Sequence, residues 1–254
     1  MFEDRHIAAR LAIALMDLTS LNDDDSPAVI DNLCQQARTN QGDTAAICIY
    51  PQFIPQAKAK LASSDVQIAT VVNFPSGNGQ IDMIVSQTNQ VIDYGADEVD
   101  LVLPYQALMQ GNLDTPKAMV EQVKAACGNQ VLLKVIIESG ILAEAKLIQK
   151  ASEIAINAGA DFIKTSTGKV AVNATLSAAK TMLDVIAVIN PKVGFKAAGG
   201  VRTLDDAVRY MQLGADRLGN DYLSKKTFRF GASGLLSNLL SELGQESGDL
   251  NSKY

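Results

Sequence analysis

The sequence predicts a (β/α)₈ barrel. Short aliphatic and β-branched runs alternate with longer amphipathic stretches from end to end, the pattern of a parallel strand–helix succession. About eight such units fit into 254 residues, and barrels of this kind run to roughly 250. Gly-Ala-Asp also recurs where a helix should hand over to a strand. An open doubly wound sheet is the alternative, but no G-x-G-x-x-G follows the first strand.

The predicted strands are residues 14–18, 45–50, 68–72, 98–103, 132–137, 162–165, 193–196 and 228–231. Amphipathic stretches at 80–94, 142–157 and 175–189 separate several of them; in the last, Leu176, Ala179, Leu183, Ile186 and Ala187 follow a helical period. Thr203-Leu204-Asp205-Asp206 opens another helix with a capping hydroxyl and an acidic first turn. Gly95-Ala96-Asp97 and Gly159-Ala160-Asp161 stop helices, since glycine accepts the left-handed conformation cheaply. A third copy, Gly214-Ala215-Asp216, makes Arg217-Leu218-Gly219 a rival eighth strand. Residues 228–231 are preferred because 231–233 then leads into a final helix. The whole chain, 1–254, reads as one domain, with a polar tail from Gln245 expected to be mobile.

Composition narrows the chemistry. With His6 as the single histidine, a His-based metal site and a Ser-His-Asp triad are disfavoured. Cys34, Cys48 and Cys127 are too widely spaced for a zinc knuckle or a disulfide framework. A net charge of −6 argues against a nucleic-acid partner held through phosphates. Apolar runs too short to span a bilayer, and an N-terminus unlike a signal peptide, lead us to expect a cytoplasmic protein without a membrane partner. Acid–base work then falls to Asp, Glu, Lys, Tyr or Cys.

Active sites of such barrels lie at the C-terminal ends of the strands. The polar residues predicted there are Asp17, Thr19, Cys48, Asn73, Asp100, Lys134, Glu138, Lys164, residues 165–169, Lys196, Arg202 and Ser233. Lys134, Lys164 and Lys196 are the distinctive group, because buried lysine is costly unless paired or neutral. Neighbouring positive charge and desolvation both disfavour the ammonium, which frees an amine to attack a carbonyl and form an imine. Asp100 could relay protons in that chemistry or simply pair with a lysine. Three late loops look suited to phosphate: Thr165-Ser166-Thr167-Gly168-Lys169, Ala198-Gly199-Gly200-Val201-Arg202 and Gly231-Ala232-Ser233-Gly234. A phosphorylated small molecule is therefore the expected substrate.

The segments 161–168, 193–202 and 98–105, with 16–19, 45–51 and 132–138, closely resemble the deoxyribose-phosphate aldolases, in order and over residues 15–240. The resemblance implies a class I aldolase that reversibly cleaves 2-deoxy-D-ribose 5-phosphate to acetaldehyde and D-glyceraldehyde 3-phosphate in deoxyribonucleoside breakdown, with no metal or cofactor. It matches Lys164 to the imine-forming lysine, Lys196 to the lysine that perturbs it, and Asp100 to the proton-relay carboxylate. Asp17, Thr19, Cys48 and Lys134 match pocket residues; Gly168, Lys169, Gly200, Arg202, Gly231 and Ser233 match phosphate positions, with Thr165 and Gly199 beside them. Ala197 replaces a common proline, and Gly234 a second serine of some relatives. Tyr254 is a candidate for proton transfer, and a homodimer is compatible with the likeness. The competing readings are another imine-forming barrel, such as a transaldolase, and a non-catalytic sugar-phosphate binder.

Overall fold

A computed structural model describes residues 2–244. Eight parallel strands close on themselves: β1 Met16–Thr19, β2 Ala46–Ile49, β3 Gln67–Val72, β4 Glu98–Val102, β5 Leu132–Ile136, β6 Phe162–Lys164, β7 Gly194–Ala198 and β8 Phe228–Ala232. Each pairs with the next, and β8 returns to β1 through Asp17 opposite Gly231. The chain is a TIM barrel. All eight strands fall where the sequence puts them. The first starts two residues later than expected because Ala14 ends a helix, Arg5–Ala14, which Asp4 caps by accepting from the N–H groups of His6 and Ile7.

The predicted helices appear as Ile81–Asp93, Ala145–Asn157 and Leu176–Ile189, the last capped by Thr175. Thr203 and Asp206 form a reciprocal capping box that starts Leu204–Leu218. That helix runs through Gly214-Ala215-Asp216, so the rival eighth strand is helical and β8 is the strand. Gly214 serves packing instead: a Cβ there would lie 2.8 Å from the Phe228 ring. The other two copies do end helices, and their aspartates have a further task. The Asp97 carboxylate accepts from the Ile68 N–H and Lys58, and that of Asp161 from the Leu133 N–H and Lys124. Each aspartate thus satisfies a backbone donor at the start of the preceding strand.

Strand alternation sorts the core into two compartments. Val99, Leu101, Leu133, Val135 and Ile163 point outward and join the apolar layer under the helices. Inside, Ala46, Cys48, Ala69 and Val71 make a small apolar wall. The opposite interior wall carries charge. Among the described residues, no helix is long and apolar enough to cross a membrane.

Candidate active site

Period-two alternation places Glu98 and Asp100 on the same inward face of β4. Register then sets Lys134 beside Asp100, Lys196 beside Lys164, and Arg229 beside Lys196. All these side chains are buried. Lys134 Nζ lies 2.6 Å from Glu98 and 2.8 Å from Asp100, with Asp17 at 3.6 Å. Lys196 Nζ donates to Asp17 and, at 2.8 Å, to Asp100 Oδ2. Arg229 bridges Asp17 and Glu98 beneath them, its guanidinium 5.7 Å from the centre of the Phe162 ring. Lys164 Nζ donates to Asp100 Oδ2 at 2.7 Å, and Asp100 is its carboxylate partner in this network.

The charge balance decides which amine is free. Within the ion-paired network of the described residues, Lys134, Lys164, Lys196 and Arg229 face Asp17, Glu98 and Asp100, four cations against three carboxylates, while Glu138 acts on Lys164 only from beyond ion-pair distance. Buried uncompensated charge is expensive, so one group should neutralise. Lys164 loses least by it, having one carboxylate partner where Lys196 has two and Lys134 has three. Its pKa is lowered: burial and the Lys196 charge outweigh the attraction of Asp100. Lys134 and Lys196 go the other way, because their carboxylates overcome the same burial. Asp100, despite burial that pushes it up, is held well below the ordinary carboxylate range by Lys134, Lys164 and Lys196.

Above Lys164 opens a cavity of about 130 Å³. Thr19, Gly168, Lys169, Gly199, Gly200, Arg202, Gly231 and Ser233, all expected from the sequence, line it together with Lys164. Gly199 and Gly200 have φ of 78° and 87°, a left-handed pair that turns the backbone toward the cavity after β7. Gly231 is glycine because a Cβ would come 3.0 Å from Lys196 Cε. Helices Leu204–Leu218 and Leu235–Glu242 start beside this rim, which brings positive dipole ends close to it.

The other expected residues are placed differently. Asp17, Asp100, Lys134 and Lys196 form the buried floor, beneath the cavity lining. Cys48 is fully buried, with its thiol pushed up by burial and by Asp100. The Thr165 hydroxyl donates to the Ala198 carbonyl and accepts from its N–H, so it ties β6 to β7 and lies outside the lining. Tyr254 lies outside the described residues. Sequence reasoning passed over Glu98 and Arg229 as members of the network. Their signal was available: each sits two residues before an inward-facing position, Asp100 and Gly231. Leu21 and Asn173 also line the cavity, and no local motif announces them.

The model of the DeoC/LacD family aldolases matches residues 11–239. The chain belongs to that family. It is accordingly an aldolase, a carbon–carbon lyase. A provisionally named deoxyribose-phosphate aldolase from Coccidioides immitis is 27% identical, with a TM-score of 0.82 over 92% of this chain and 86% of that one. An aldolase designated QR15 is 25% identical, with a TM-score of 0.79 over 92% and 96% of the two chains. The tetrameric deoxyribose phosphate aldolase of Aeropyrum pernix, at 21% identity, shares the fold with a TM-score of 0.76 over 95% and 97%.

Proposed function

We propose that this aldolase reversibly cleaves 2-deoxy-D-ribose 5-phosphate into acetaldehyde and D-glyceraldehyde 3-phosphate through an imine on Lys164. The observation that carries this reading is the placement of Lys164. It is the network's least-paired cation, its pKa is lowered, and it faces a cavity whose rim is built from glycine turns and helix starts. A neutral amine there attacks the C1 aldehyde; loss of water from the carbinolamine gives the iminium. Deprotonation of the C3 hydroxyl breaks the C2–C3 bond, and the iminium takes up the electron pair as an enamine. Glyceraldehyde 3-phosphate leaves, the enamine gains a proton at C2, and hydrolysis releases acetaldehyde.

Asp100, 2.7 Å from Lys164 Nζ, is positioned for the proton transfers of this sequence. While Lys164 is cationic, Asp100 is a firm carboxylate; neutralising that amine removes part of the hold and lets it accept a proton. Lys196 disfavours the Lys164 ammonium, and Asp17 and Lys134 keep Lys196 and Asp100 in place. Gly168, Lys169, Gly199, Gly200, Arg202, Gly231 and Ser233 form the phosphate end, while Thr19 lines the sugar's path. Burial of the Cys48 thiol supports a packing role for it. The reading needs no metal or cofactor. It places the enzyme in deoxyribonucleoside breakdown in the cytoplasm, as a homodimer, with Tyr254 assisting proton transfer.

Product analysis tests it. Incubation with 2-deoxyribose 5-phosphate should release acetaldehyde and a triose phosphate in equal amounts. Inertness toward this deoxypentose, with transfer of a dihydroxyacetone unit from a ketose phosphate instead, would assign a transaldolase-type reaction. Binding without products would assign a sugar-phosphate binder.

A further inference from the structure

Two residues other than glycine take left-handed backbone at the ends of barrel strands: Asn73 after β3, with φ of 56°, and Glu138 after β5, with φ of 55°. Such conformations cost energy and persist where the side chain is needed in one place. Asn73 ties its loop to the next strand through a neutral amide, which donates to the Val102 carbonyl of β4, while its Oδ1 accepts from the Gly79 N–H. Glu138 makes the corresponding tie with a carboxylate. Its carboxylate accepts from the Thr167 hydroxyl at 2.6 Å and from the Thr167 N–H at 3.2 Å. The Thr167 oxygen in turn accepts from the Lys169 N–H at 3.1 Å. Next to it, the Ser139 N–H donates to the Thr165 carbonyl at 2.8 Å. The segment 165–169 is thus fastened to the end of β5 at both Thr165 and Thr167.

A neutral amide suffices at Asn73, so the ionisable group at Glu138 requires a reason. Glu138 is fully buried, and burial raises its pKa, opposed by the two Thr167 bonds and by the charge of Lys164. Charge-assisted hydrogen bonds are roughly twice as strong as neutral ones. A carboxylate also accepts from the hydroxyl and the N–H together, which leaves Thr167 no hydroxyl proton for another partner. We infer that Glu138 is a positioning residue, whose carboxylate sets Thr167 and so shapes the loop of Gly168 and Lys169 that receives the substrate's phosphate end. This rests on the phosphate reading above and adds a residue that contacts neither phosphate nor Lys164 in that scheme.

The test compares two substrates of the full-length enzyme: 2-deoxyribose 5-phosphate, whose phosphate needs the loop, and acetaldehyde, which has none. Glu138→Gln should raise KM for the sugar phosphate at least tenfold, while borohydride trapping of acetaldehyde on Lys164 stays within threefold of wild type. Glu138→Asp should recover part of the KM. If Glu138→Gln does not fold, Glu138→Asp, which keeps the charge but draws it back from Thr167, must show the same split in smaller degree. Equal losses with both substrates, or an unchanged KM, would overturn the inference. Failure of the wild-type enzyme to form any acetaldehyde adduct would instead sink the proposed function.

Discussion

Lys164 and Lys196 stand opposite each other on neighbouring strands, yet their amines keep different company. Lys196 is clasped by Asp17 and Asp100, whereas Lys164 shares Asp100 with it and faces the cavity. Sequence alone names both lysines but cannot rank them, because the ranking depends on carboxylates from distant strands. Replacement of Lys196 by leucine removes a like charge and also leaves Asp100 more fully to Lys164. Both effects favour the Lys164 ammonium, although burial still opposes it. The acid limb of the pH–rate profile should therefore move to higher pH, and kcat at neutral pH should fall about tenfold for each pKa unit by which the amine rises. An unmoved acid limb would mean that burial alone sets the amine's ionisation.

At the scale of strands and loops, the barrel was readable because each strand is a short apolar run bounded by turn residues. The ambiguous element was the last. Gly214-Ala215-Asp216 copies the helix-stop motif, but there the glycine makes room for the Phe228 ring and the helix continues. Thr165 shows the converse difficulty: a hydroxyl at a strand end reads as a ligand, and only the fold reveals its bonds to Ala198. Two substitutions separate scaffold from site. Asp97→Ala leaves the buried Ile68 N–H without its carboxylate, which should cost about 1–3 kcal/mol of stability with kcat unchanged. Thermal unfolding alongside steady-state kinetics checks it. Gly231→Ala inserts a methyl 3.0 Å from Lys196 Cε and Ala198 Cβ. It should lower kcat about tenfold, as misplacement within an active site does, while changing the melting temperature little.

Across the whole molecule, one wall of the barrel interior is a chain of charges running from Glu98 and Arg229 up to Lys164. Alternation could have announced it, since Glu98 and Asp100, like Arg229 and Gly231, are two residues apart. The closed register that joins β8 to β1, and so Arg229 to Asp17, is a property of the fold. Arg229→Met tests the balance. It breaks a buried ion-pair network, which should destabilise the protein by roughly 3–5 kcal/mol. It also leaves three cations against three carboxylates, so Lys164 should hold its proton to higher pH and the acid limb should rise. A variant that melts earlier but keeps the wild-type pH profile would separate the network's structural part from control of the amine.

The claim on which the chemistry depends is that Lys164 is the nucleophile. Reduction with borohydride in the presence of 2-deoxyribose 5-phosphate, followed by intact-mass measurement and peptide mapping, examines it directly. The account predicts one stable adduct per chain, on Lys164, lost in Lys164→Ala and kept, more slowly formed, when Lys196 is replaced. An adduct on Lys196 or Lys134, or none in an enzyme that still turns over, would contradict it.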